Sequence, residues 1–262
     1  MGKSRVSKPW VLGTQEVVPV SRRRPFRSVV LVGAVFALAV PLGCSPTSSE
    51  SPLGSVAIIG DSLAQETEPY LRLLLDPTPL VNNSFGGTAP CDWLDKDLKV
   101  DDSSIAVISF TGNSATPCMA DVAGQFPEGQ ALLDRYRADL GALVAKVLAT
   151  GAKVLLVGQP QRPDPDGEAE VDGINAILLD LDKQDSVSFV DAGAAVENAD
   201  GSLAKSLPCL AGEAACGADG FNVVRTDDGV HFCPGAGDNP CPVYSSGAFR
   251  FAAAISIAID EL

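Results

Sequence analysis

The sequence predicts an α/β fold: a three-layer α/β/α sandwich with a mainly parallel five-stranded sheet. Two observations carry this. Five short runs, at 56–59, 80–84, 105–110, 153–157 and 187–190, are β-branched and largely apolar without alternation, the central ones most clearly, as parallel strands buried on both faces are. Between them lie longer stretches with apolar residues at helical spacing, and a strand–helix–strand succession with right-handed crossovers places helices on both sides of one sheet. At 262 residues, 46% of them hydrophobic and 20% charged, the chain is long and apolar enough for one such core.

Taken in order, residues 1–43 read as a signal peptide. Lys3, Arg5, Lys8, Arg22, Arg23, Arg24 and Arg27 precede an uncharged, mostly apolar run at 29–42. That run is short of the roughly 20 residues needed to span a bilayer, which favours an export signal over a permanent membrane anchor. Arg23-Arg24-Pro25-Phe26 is a partial twin-arginine match, so the export route stays open. Gly43-Cys44 resembles the end of a bacterial lipobox, with Pro41 where leucine is usual, and makes Cys44 the candidate lipidation site. The stretch 1–20 makes the leader unusually long, as an upstream misplacement of the start would. Residues 44–54, rich in Ser and Pro, form a lipoprotein tether, and the folded domain occupies 55–262.

Within the domain, the first strand is followed by a helix at 63–75. A second helix at 128–150 repeats Leu132, Tyr136, Leu140, Val144 and Leu148 and stops at Gly151. A last helix at 247–262 carries Phe251, Ile255 and Ile259 at the same spacing. Asp164-Pro165-Asp166-Gly167 reads as a turn, its spacing being incomplete for a calcium loop. Residues 192–224 show little periodicity and contain two cysteines, a length expected of a functional or stapled loop.

Charge excludes some functions. Seven of the 19 basic residues but only one of the 33 acidic ones precede residue 44, leaving a net charge of −20 on the rest. Such a body repels phosphate backbones and anionic lipid, so no nucleic-acid partner is expected, and membrane contact only through an N-terminal lipid anchor. With one histidine, His231, no multi-histidine metal centre can form; no metal and no cofactor is expected. With Cys44 reserved for lipid, six cysteines remain: Cys91, Cys118, Cys209, Cys216, Cys233 and Cys241. They can close three disulfides in an oxidising compartment, the alternative being buried free thiols. Proximity favours Cys91–Cys118, Cys209–Cys216 and Cys233–Cys241 among the 15 possible pairings.

Ligands of an open parallel sheet sit beyond the carboxyl ends of its strands. After the first strand stands Gly60-Asp61-Ser62, after the second Asn83-Ser84-Phe85-Gly86-Gly87-Thr88, after the third Thr111-Gly112-Asn113-Ser114, and near the C-terminus Asp228-Gly229-Val230-His231. A serine at a strand-to-helix turn commonly serves as a helix N-cap. It becomes a nucleophile if a base reaches it, and His231 is the only imidazole available. Asp228, three residues earlier, can fold back on the Nδ1 side and leave Nε2 to take the serine proton.

These blocks resemble those of the SGNH/GDSL hydrolases over 56–234, with phrases such as GGTAPCDWL and GNSATPCM similar to exported bacterial SGNH domains, including those joined to membrane acyltransferases. The resemblance implies the flavodoxin-like SGNH fold, Ser62 as nucleophile, Asp228 and His231 as its partners, and an oxyanion hole from Gly87, with Gly86 as neighbouring candidate, and Asn113. Thr111 and Ser114 stand where the family's third block has glycine and aspartate. A disulfide between Cys91 and Cys118 would tie the two oxyanion loops together. The implied function is an extracytoplasmic serine esterase acting on short-chain, acetyl-type esters of a carbohydrate or other cell-envelope substrate, as a monomer. The alternatives are an O-acyltransferase of the same chemistry and a non-catalytic envelope lipoprotein retaining the fold.

Overall fold

A computed structural model describes residues 54–233 and 241–262. The predicted signal peptide, Cys44 and the tether up to residue 53 lie outside the described residues. The elements, in chain order, are β1 (Ser55–Gly60), α1 (Ser62–Leu74), β2 (Leu80–Ser84), β3 (Ser104–Ser109), α2 (Gly129–Leu148), β4 (Lys153–Val157), α3 (Pro165–Leu181), β5 (Val187–Val190), β6 (Ser206–Pro208), β7 (Phe221–Val223) and α4 (Ser246–Asp260).

The first five strands form one parallel sheet in the order β2-β1-β3-β4-β5. Successive side chains of a strand point to opposite faces, and the packing follows this alternation. Val56, Ile58, Ile105, Val107, Leu155 and Val157 join one buried cluster with Leu63, Leu71, Phe251 and Ile255 of α1 and α4. Ile59, Ala106, Ile108, Val154 and Leu156 join the other, with Leu132, Tyr136, Leu140 and Ile174 of α2 and α3. This is the predicted three-layer sandwich. The continuous apolar runs mark strands covered on both faces at the centre of the sheet, where every residue of β3 is buried. The edge strands β2 and β5 are only partly covered, each with one buried residue, so for them double-sided burial does not hold.

One stretch differs from the sequence reading, and another takes one of the two forms expected of it. Residues 164–167 are not a free turn but the start of α3, a helix the periodicity did not reveal. Asp164 caps it by accepting from the Gly167 N–H at 2.8 Å, and Pro165 occupies the first helical position, where its missing N–H costs nothing. The aperiodic segment 192–224 is stapled: a short 3-10 turn at Gly193–Val196 leads into the antiparallel pair β6–β7, whose connection is closed by the Cys209–Cys216 disulfide. No helix among the described residues is long and apolar enough to cross a membrane.

Candidate active site

β1 ends in a turn that only glycine permits. A Cβ on Gly60 would lie 2.1 Å from the Ser109 carbonyl oxygen of β3 and 2.5 Å from the Ala64 methyl. The N-cap of α1 is Asp61, not Ser62: its carboxylate accepts from the Leu63 N–H at 3.2 Å. Asp61 is fully buried, and its second oxygen accepts from the Thr111 N–H at 2.6 Å, the Thr111 hydroxyl at 2.7 Å and the Asn113 amide at 3.0 Å. Burial pushes this carboxyl up, against the pull of the Thr111 and Leu63 donors and the Arg162 charge. The threonine that replaces the family's glycine at 111 therefore supplies an extra donor to a buried carboxylate.

Freed from capping, Ser62 turns its hydroxyl to His231. Its Oγ lies 3.0 Å from His231 Nε2, and His231 Nδ1 lies 2.8 Å from Asp228 Oδ2. The other Asp228 oxygen accepts from the Thr226 hydroxyl at 2.6 Å and from the Val230 and His231 backbone N–H groups at 2.8 and 3.0 Å. Partial burial alone would raise this carboxyl, but those donors and the imidazole together hold it far below the ordinary carboxylate range. Asp228 is thus an anion aimed at Nδ1. Its neighbour Asp227 points away into solvent and pairs with Lys205 at 2.8 Å.

The β2 and β3 loops complete the arrangement. Gly87 has φ +77°, a left-handed conformation that a Cβ disfavours, although no protein atom crowds the position. Gly86 and Gly87 differ in the state of their N–H groups: that of Gly86 donates to Gln65 Oε1 at 2.8 Å, whereas that of Gly87 has no acceptor among the described residues. The Ser62 N–H, at the first position of α1, is equally unengaged. Asn113 is beside them, but its amide nitrogen already donates to Asp61 and, at 3.2 Å, to the Thr88 carbonyl. Expected from the resemblance as an oxyanion donor, Asn113 here bridges the β1, β2 and β3 loops, and the unengaged donors are the two backbone N–H groups.

Ser62, Gln65, Phe85, Gly86, Gly87, Thr111, Asn113, Arg162, Val230 and His231 line a common pocket of about 540 Å³. Arg162 was not foreseen: it follows β4 and donates to the Thr111 carbonyl at 2.5 Å, with Glu170 3.5 Å from its guanidinium. Phe85 stands at the mouth with 63% of its surface exposed. The Cys91–Cys118 disulfide joins the segment after β2 to the segment after β3, and Cys233–Cys241 begins two residues after His231; with Cys209–Cys216 these are the three pairings that proximity favours. Cys91, Asp92 and Cys118 approach one another closely, but the cysteines are joined and Asp92 accepts from Thr116 and Ala89.

A five-stranded parallel sheet in this order, with a GDS turn after β1 and an Asp-x-x-His loop before the last helix, is the fold of the SGNH/GDSL hydrolases. A GDSL-like lipase from Bacteroides thetaiotaomicron VPI-5482 matches with a TM-score of 0.51 at 16% identity, over 79% of this chain and 88% of that one. A member of the lipolytic protein G-D-S-L family from Veillonella parvula DSM 2008 matches with a TM-score of 0.50 at 11% identity, over 79% and 99%. The C-terminal catalytic domain of Streptococcus pneumoniae peptidoglycan O-acetyltransferase A gives 0.49 at 17% identity, over 80% and 95%. Within this fold, the chain belongs to the family described as protein of unknown function (DUF459), whose model matches residues 55–239. No curated protein matches it.

Proposed function

We propose that the domain is an extracytoplasmic serine esterase that hydrolyses short-chain acyl esters, acetyl esters foremost, of a carbohydrate or another cell-envelope component. The observation that carries this reading is the unbroken hydrogen-bonded line from Ser62 Oγ through His231 to Asp228. In it, Ser62 Oγ attacks the ester carbonyl while His231 Nε2 takes the hydroxyl proton, and Asp228 holds the tautomer and stabilises the imidazolium. The carbonyl oxygen becomes an oxyanion facing the Ser62 and Gly87 N–H groups, with Asn113 behind them as the strut that fixes both loops. Collapse of the tetrahedral intermediate expels the alcohol, which leaves with the proton from His231. The acyl-Ser62 ester is then attacked by water, which His231 deprotonates; collapse of the second intermediate breaks the Ser62 Oγ–acyl bond, His231 returns the proton to Ser62 Oγ, and the carboxylic acid departs. Arg162, drawn onto the Thr111 carbonyl, forms one wall of the pocket.

Transfer of the acyl group to a sugar hydroxyl uses the same steps with an alcohol in place of water, and product analysis with and without an oligosaccharide acceptor separates the two. The decisive experiment is labelling with a serine-directed phosphonate. Wild type should add one mass equivalent and lose acetyl-ester turnover, and Ser62→Ala should do neither. Because Asp61 is the cap, this substitution should change stability by less than about 1 kcal/mol. Full labelling of the mutant at another serine would sink the assignment.

Three disulfides suit folding in an oxidising compartment. On the proposed topology, the leader is removed and an acylated Cys44 tethers the domain to the outer face of the membrane. Cys44→Ala should then move the protein from the membrane to the soluble fraction, as read by fractionation and N-terminal mass spectrometry.

A further inference from the structure

Four residues beyond Ser62, one helical turn along α1, stands Glu66, a carboxylate with 2% of its surface exposed. Its Oε2 accepts from the backbone N–H of Phe232 at 2.7 Å and of Cys233 at 3.2 Å, the two residues that follow His231. Its Oε1 has no hydrogen-bond partner among the described residues. From the other side, Arg225, 1% exposed, donates to the Val230 carbonyl at 2.6 Å, and its guanidinium lies 4.7 Å from the centre of the Phe232 ring. The residues on both sides of His231 are therefore held by buried charged groups, and one of those groups is on the helix that carries Ser62. Burial pushes the Glu66 carboxyl up, and the Phe232 N–H, the His231 charge and the Cys233 N–H pull the other way.

We infer that Glu66 is a positioning residue that locks the His231 loop to the helix bearing Ser62, so that one buried carboxylate, remote from substrate, sets the 3.0 Å Ser62–His231 contact. The inference rests on the reading of Ser62 and His231 as nucleophile and base. Glu66 does not line the pocket, so its loss acts on proton transfer and not on ester binding. It anchors two backbone donors through a single oxygen, which makes reach, rather than charge, the decisive property.

Two substitutions separate these properties. Glu66→Asp keeps the charge and is one methylene too short to reach both N–H groups. Glu66→Gln keeps the reach and an acceptor oxygen while losing the charge. The chain's single histidine gives one imidazole, whose Nε2 nitrogen-15 shift in alkaline buffer differs between wild type and Ser62→Ala according to whether the serine hydroxyl is bound. Glu66→Asp should show the Ser62→Ala shift and lose on the order of 10²-fold in kcat on an aryl acetate with KM unchanged. Glu66→Gln should keep the wild-type shift and most of the kcat, at a lower melting temperature. A folded Glu66→Asp with wild-type shift and kcat would overturn the inference, and so would a folded Glu66→Gln with the Ser62→Ala shift. The second outcome is decisive even if Glu66→Asp fails to fold. A wild type that shows the imidazole signature but hydrolyses no ester would instead defeat the esterase reading and leave the lock standing.

Discussion

Asp227 and Asp228 are adjacent carboxylates with opposite surroundings. Asp228 accepts four hydrogen bonds, among them that of the His231 ring, while Asp227 meets only solvent and Lys205. Asp228→Asn leaves the imidazole in place but favours the wrong tautomer, and should lower kcat by about 10³-fold or more. Asp227→Asn should leave kcat unchanged, because an exposed ion pair contributes little. Steady-state kinetics on the two purified mutants checks the pair, and the reverse ranking would exclude Asp228 as the orienting group. At the same scale, Asp61 is the residue whose importance is least apparent from the motif. The middle letter of Gly-Asp-Ser caps α1 and at the same time gathers Thr111 and Asn113, so it joins the loops after β1 and β3.

At the scale of elements, the two loops after β2 and β3 are held by a chemical bond as well as by Asn113. Cys91 and Cys118 are 27 residues apart, so removing their bridge should cost about 3–4 kcal/mol through the unfolded chain. The Cys91→Ser, Cys118→Ser double mutant should accordingly unfold at lower urea concentration. It should also lose kcat beyond what the stability change explains, because the Gly87 N–H sits on one of the tied loops. Equal kcat in the folded double mutant would show that the bridge serves stability alone. What was legible in the sequence divides along the same line. Strands, the helices with strong i+4 apolar patterns, and the Ser62, Asp228 and His231 positions follow from residue type and local spacing. The start of α3 was hidden because Asp164, Pro165, Asp166 and Gly167 are residues that turns and helix caps share, and only the tertiary context decides between them. The engagement of Asn113 and the free state of the Gly87 N–H could not be read, since each depends on which acceptor a distant loop presents. Gln65 and Glu66 did carry a signal, being three and four residues from Ser62 and thus on its face of the helix, but nothing in the sequence says which loops they meet.

For the molecule as a whole, Glu213 should be one source of acid sensitivity, beside Asp228 of the site. The Glu213 side chain is fully buried between Arg250, at 2.8 Å, the Ser246 hydroxyl and the Leu210 N–H, so that the stapled loop is tied to α4. Burial alone would raise this carboxyl, but Arg250, Ser246 and Leu210 outweigh it and bring it down to about 2. Because the folded value lies below the unfolded one of 4.5, the stabilisation is complete above pH 4.5 and is lost as the pH falls from there towards about 2. The shift corresponds to roughly 3 kcal/mol. Urea titrations at a series of pH values should show Glu213→Gln less stable near neutrality and with a flatter acid limb than wild type; parallel curves would assign the acid sensitivity elsewhere. The arrangement of α1 has a further consequence for how the molecule opens. Asp61, Ser62, Gln65 and Glu66 occupy barely more than one turn and grip three loops, and the next turns pack on β1 and α4. That turn cannot fray alone without releasing all three loops, so its hydrogen-bonded amides, that of Gln65 among them, should exchange as slowly as those of the central sheet, while the unengaged Ser62 N–H should not. A protease or a modifying reagent that needs this turn of α1 unfolded should then act only through global unfolding, at a rate that tracks the stability of the whole domain.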